Sequence, residues 1–447
     1  MKLKLQHICS IMFFVSSLLY AESAHIMIQP EVNYSSAYNG YDLITNMPQQ
    51  NMDLSVLNYR QAVEKQYIKK YGEALDYYFI PSASLGGFAY VQRPFIGTAN
   101  KAIQLYVAEF TALAVLNRWT AALASFDYDA NAPKNSDFPG VGIPIGSTSF
   151  YFDQAFLTIG NFDLSPFHLS VGEMYSPFGL YNSFMINSPL TASLFVIETP
   201  AMKFGYVWHQ NDDVLNIQLF AYHGGTVTNP NTSYALGSGM SVNYFIARHS
   251  WQGNLGFAIT SNIADSDGME FNDQFQANNN TTQPCSLFGG FAVSCQNSNV
   301  LEHKVPGIAV HADYLYDPWL ITVEYISALR PFSPVNMTYN FQGARPSALD
   351  IEVNYDFIWH NQPSSAAIAY ATTKQALALL LPTAELSFMV GTSFWRNTIL
   401  KLGYQLDVNY PQGAEATGQM LPVLTPYTQS QLSHLSHTAL LMMTVSF

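Results

Sequence analysis

Apolar and polar residues alternate with a period of two through most of the chain, most plainly at its end. From His437 to Phe447, Ala439, Leu441, Met443, Val445 and Phe447 share one side. Thr438, Thr444 and Ser446 take the other, interrupted by Leu440 and Met442. Side chains of a strand point alternately to its two faces, so the segment predicts a strand with one apolar and one mostly polar face. Its length suits a tilted strand crossing a bilayer, about 9–11 residues. The same alternation sets Ala122, Ala124, Phe126 and Tyr128 against Ser125, Asp127 and Asp129. Further on, Phe167, Leu169 and Val171 oppose His168, Ser170 and Gly172, and Leu215, Ile217, Leu219 and Ala221 oppose Asn216, Gln218 and Tyr222.

Two kinds of connection separate these segments. Tight ones rich in Asn, Asp, Pro and Ser sit near Asn117, Asp163, Asn211, His249, Asp317, Asn361 and Asn397. Long ones fall near 93–101, 130–148, 176–200, 224–237, 262–304, 329–346, 373–383 and 410–433. Short turns on one side and long loops on the other are the asymmetry of outer-membrane barrels. The pattern predicts an all-β protein, a transmembrane antiparallel β-barrel of about sixteen strands over 81–447. An even strand count puts both ends of the barrel on the periplasmic side, and about sixteen strands leave room for an aqueous channel.

Before the barrel, Lys2 and Lys4 precede an apolar run from Ile8 to Tyr20 and a small Ala21, the layout of a secretory signal peptide over 1–21. Residues 22–80 form a short helical and irregular segment, periplasmic or facing the lumen, with a helix from an N-cap at Asp53 to a stop at Gly72. Composition then sharpens the barrel reading. Hydrophobic residues make up 49% and charged residues 11%, yet beyond the leader no run approaches the roughly 18 residues of a spanning helix. Lipid-facing residues dispersed at every second position reconcile these facts, and Tyr and Phe would supply the interfacial girdles. A net charge of −13 argues against nucleic acid as a partner.

The segment Tyr151–Tyr181 reads YFDQAFLTIGNFDLSPFHLSVGEMYSPFGLY. Its T-I-G-N strand end, S-P-F and V-G-x-x-Y-x-P-F-G resemble the hairpin of the LbtU-type siderophore porins. Asp153, Ala155, Phe156, Thr158, Gly160, Asn161, Tyr175 and Pro177–Gly179 fit that pattern. The resemblance implies a bacterial outer-membrane barrel taking up ferric siderophore as a small-molecule solute, without a cofactor. A C-terminal Phe447 likewise resembles the signal by which the barrel assembly machinery recognises its clients. Outer-membrane lipid is the remaining partner, and a homotrimer is compatible with the strand count.

Candidate chemistry is sparse. Glu109, Asp127, Asp129, Asp153, His168 and Glu173 are candidates for the lumen lining, where carboxylates favour cationic or hydroxyl-rich solutes. Each competes with the plainer reading of a solvated wall residue. Cys285 and Cys295, the cysteines left after the leader, form either one disulfide or two unlinked thiols. His434 and His437 have no helical spacing that would join them on a metal, and no phosphate loop or nucleophile elbow occurs, so no enzyme is expected. Four functions stay open: a siderophore pore narrowed by loops such as 262–304, a general diffusion porin, a surface adhesin or structural barrel, and, with least support, a barrel lipase or protease.

Overall fold

A computed structural model describes residues 50–72, 77–93, 99–129, 149–210, 212–229, 231, 235–270, 300–379, 381–395, 397–417, 427–428 and 434–446. The expected signal peptide, Cys285, Cys295 and Phe447 lie outside the described residues.

Sixteen strands close into one barrel, each antiparallel to its sequence neighbour and the last paired to the first. They are β1 (Tyr78–Arg93), β2 (Asn100–Val115), β3 (Thr120–Asp129), β4 (Ser149–Gly160), β5 (Phe167–Tyr175), β6 (Glu198–Gln210), β7 (Asp213–Gly224) and β8 (Ala235–Ala247). The second half comprises β9 (Gln252–Thr260), β10 (Gly307–Tyr316), β11 (Trp319–Ala328), β12 (Ser347–Trp359), β13 (Gln362–Lys374), β14 (Ala384–Trp395), β15 (Thr398–Val408) and β16 (Leu435–Ser446). Closure matters because an open edge would leave backbone N–H and C=O groups unsatisfied in hydrocarbon. The seam is regular, with Leu85 opposite Val445 and Ala89 opposite Leu441. β1 starts before Pro81, where a strand start was expected. Tyr78–Ala83 overhang the last strand, which pairs only from Ser84, and a proline is tolerated on such a free edge.

The expected alternation sorts the wall. On β14, β15 and β16, Phe388, Val390, Leu402, Leu441 and Met443 point outward and are between 43% and 61% exposed, an apolar surface for lipid. Ser387, Gln405, Asp407, Ser436, Thr438 and Thr444, on the opposite parity, are buried. The protein's six tryptophans all sit at the short-turn end of the barrel. Trp119, Trp251 and Trp319 open strands or precede them by one residue, and Trp208, Trp359 and Trp395 lie within two residues of a strand's end. An indole is amphipathic and seeks the membrane–water boundary, so this ring of Trp marks one interface.

A helix α1 (Met52–Tyr71) precedes the barrel, and its residues from Asn58 on belong to a separate compact unit. Its first turn, through Leu57, belongs with the barrel. Two short helices occur in the long loops, α2 (Leu190–Phe195) and α3 (Asp267–Glu270). Two other long loops contribute short strands to a four-stranded sheet.

Candidate constriction site

The connection between β5 and β6, residues 176–197, turns inward and crosses the lumen. Its entry is the P-F-G end of the hairpin motif. Gly179 has φ +89, a left-handed conformation that costs an L-residue about 1–2 kcal/mol, and a Cβ there would lie 2.4 Å from the Tyr181 ring. Phe178 beside it is fully buried. The loop therefore begins with a fixed bend.

Carboxylates of the opposite wall then hold the loop by its backbone. Glu324 on β11 accepts from Leu180 N at 2.5 Å, Tyr181 N at 3.3 Å and Thr191 Oγ1 at 2.7 Å. Asp350 on β12 accepts from Leu190 N at 3.3 Å and Thr191 N at 2.8 Å, taking up two of the N–H groups that α2 leaves free at its start. Glu352, two residues along, accepts from Phe184 N at 2.6 Å and Ser183 Oγ at 2.7 Å. From β15, Lys401 Nζ donates to Phe184 O at 3.1 Å. Such charge-assisted bonds are roughly twice as strong as neutral ones, and the loop would otherwise bury these donors unsatisfied.

Packing completes the seat. Phe184, Met185 and Ile186 at the loop's tip cluster with Phe88 of β1, Met389 of β14 and Leu440 and Met442 of β16. These last two are the residues that interrupt the polar face of the final strand. Gly403, inward on β15, leaves the space beside Ile186, whose Cδ1 would stand 3.1 Å from a Cβ. A loop that starts beside β5 thus spans to the closing seam and narrows the bore. Of 262–304, also expected to narrow the mouth, residues 271–299 lie outside the described residues.

A second anchor lies at the short-turn end. Asp53 in the first turn of α1 accepts from Ser170 Oγ at 2.8 Å, and Lys203 Nζ stands 3.4 Å from its other oxygen. His168 Nε2 is 3.8 Å away, and Lys203 also donates to Gln50 O at 2.9 Å. Burial works to raise the Asp53 carboxyl, but Lys203, His168 and these hydrogen bonds outweigh it and hold it below its ordinary value. Asp53 was expected to cap the helix. The helix starts at Met52, one residue earlier, and the side chain ties the first turn of α1 to the wall instead. Gly205 opposes His168, and any Cβ there would meet the imidazole at 2.0 Å.

The other lumen candidates stand on the neighbouring strands β2 to β5. Glu109 and Asp127 are paired across β2 and β3 in the inward register, and Glu109 accepts from Thr111 at 2.7 Å and Ser125 at 3.0 Å. Asp129 is the last residue of β3. Asp153 stands at the β3–β4 bulge and accepts from Tyr175 OH at 2.7 Å. Glu173 does not line the lumen. It has the parity of outward Val171, pairing with Ala155 and Pro200. Near the loop's exit, burial, together with Glu173 and Asp153, raises Asp267 to about 7. Its backbone N donates to Val196 O at 2.8 Å. Glu324, Asp350, Glu352 and Lys401, which organise the constriction, were not among the candidates.

Among solved structures, the barrel is similar to the outer membrane channel DcaP of Acinetobacter baumannii (TM-score 0.50, 11% identity, 83% of this chain and 98% of that one). It is equally similar to an anion-selective porin from Comamonas acidovorans (TM-score 0.50, 8% identity, 83% and 100%). These likenesses establish the fold. With its closed wall, apolar belt and Trp ring, the chain is a porin-like barrel of the bacterial outer membrane. No family model matches it. A UPF0422 protein of Legionella pneumophila strain Lens is 30% identical over 419 residues, 90% of this chain and 74% of that protein. A UPF0422 protein of Coxiella burnetii is 30% identical over 399 residues, 89% of this chain and 78% of that protein, and on these matches the chain belongs to the UPF0422 family.

Proposed function

We propose that the protein is a solute-conducting porin whose bore is set by the inner loop, and that its solute is a ferric siderophore or a similar small chelate. The observation that carries the porin reading is the loop 176–197, bound to Glu324, Asp350 and Glu352 on the far wall and to Lys401. A structural barrel needs no such partition. Passage would be diffusive, with solute moving between the loop and the wall, whose carboxylates and hydroxyls replace part of its hydration. Support for the finer reading comes from the Tyr151–Tyr181 hairpin, which resembles siderophore porins and leads directly into the loop.

Two measurements test this. Purified protein in a planar bilayer should give stepwise conductance, and cells carrying it should take up iron-siderophore faster than a deletion strain. Conductance with unchanged iron uptake would discard the siderophore and leave a general porin. No conductance would discard the pore and favour an adhesin or structural barrel.

A further inference from the structure

Several inward carboxylates stand on one transverse row of the wall. The strand register runs Glu324, Asp350, Ala371, Glu385, Asp407 and Ser436 across β11 to β16. The first two are occupied by the inner loop. Glu385 and Asp407 receive no bond from it. Each takes one from its own strand, Ser387 Oγ to Glu385 Oε1 at 2.9 Å and Gln405 Nε2 to Asp407 Oδ1 at 2.7 Å.

Their surroundings ask for a positive charge. Glu385 is 6% exposed and its Oε2 has no hydrogen-bond partner among the described residues. Asn187 of the inner loop is 4% exposed and its Oδ1 is likewise unpartnered. Both side chains line one cavity between loop and wall, whose interior of about 20 Å³ holds a single water or a small ion. Asp407, fully buried, is directly across from Glu385. Carboxylates at opposed positions repel, and burying them without a counter-charge is costly. The buried lumenal ammoniums do not relieve this. Lys203 is held by Asp53 and Gln50, and Lys401 by Phe184 O.

We propose that Glu385 and the Asn187 amide oxygen, with the charge of Asp407 on the adjoining strand beside Glu385, form a cation-binding subsite in which a permeating monovalent cation dwells, giving the pore a preference for cations. The proposal rests on the porin reading above and names the charge class its lumen selects. Hard oxygen donors suit a hard cation, and a space for one small ion admits it with its water shell largely shed.

The test is the reversal potential of the purified protein in a bilayer under a potassium chloride gradient. Wild type should pass potassium in preference to chloride. In Glu385→Gln and Asp407→Asn the permeability ratio should fall, and in the double variant it should fall several-fold while conductance persists. Glu173→Gln, on the outward face, should change nothing. A ratio equal in wild type and double variant, or a chloride preference in wild type, overturns the subsite and leaves the porin standing. A wild type without conductance overturns both. Folding is checked by the heat-dependent gel shift of the closed barrel. Should the double variant not close, Glu385→Gln alone decides, because it keeps the side-chain volume and removes only the charge.

Discussion

The lumen contains two anchors built on opposite principles. At the short-turn end, one carboxylate faces an ammonium, with Asp53 against Lys203. In the middle, Glu324 and Asp350 face no ammonium and bind mostly backbone N–H groups of the inner loop. The first anchor depends on charge, so removing one member strands the other. The second depends on hydrogen-bond donors spread along the loop, which fix a backbone path rather than a single point. One device tethers a helix turn; the other shapes a passage.

The comparison breaks most sharply at Lys203. Replacing it by Met leaves a buried carboxylate without its ammonium, at a cost of about 3–5 kcal/mol. Hydrogen exchange over Met52–Leu57 should speed up strongly. The Asp53→Asn, Lys203→Met double variant should recover most of the protection, and an unprotected double variant would mean the pair acts by shape alone. At the second anchor, Glu324→Ala orphans several loop donors at about 1–3 kcal/mol each. The expected outcome is a larger, noisier single-channel conductance in a barrel that still closes; an unchanged conductance would remove the loop from the bore. The smallest effect is on pH. Asp53 sits below its ordinary value, so its anchor contributes fully above about pH 3.9 and is lost as pH falls through the lower folded value. Asp267, raised to about 7, works in the reverse sense, its contribution full in acid and lost as pH rises through 7. Exchange at Met52–Leu57 should therefore accelerate only in acid, and at the exit of the inner loop progressively as pH rises from about 3.9 to about 7.

Much of this architecture was legible in the sequence, because period-two alternation and turn chemistry are local. The register of β16 follows from parity alone, and its exceptions, Leu440 and Met442, were already a sign that something apolar lies inside. What they touch could not be read, since Phe184–Ile186 are more than 250 positions away. The anchors of the inner loop were missed for the same reason, Glu324 lying 144 positions from Leu180. Glu173 was placed in the lumen as a carboxylate in a strand, although its parity with Val171 already put it outside. The six Trp at the short turns mark one interface in the sequence itself, since each falls within two residues of a strand end.

The seat of the inner loop also bears on how the protein is made. Its tip rests on Phe88 from the first strand and on Leu440 and Met442 from the last. Those residues become neighbours only when the two ends of the sheet meet. An unclosed sheet therefore has no complete seat for the loop, and the passage acquires its final width in the same event that seals the wall.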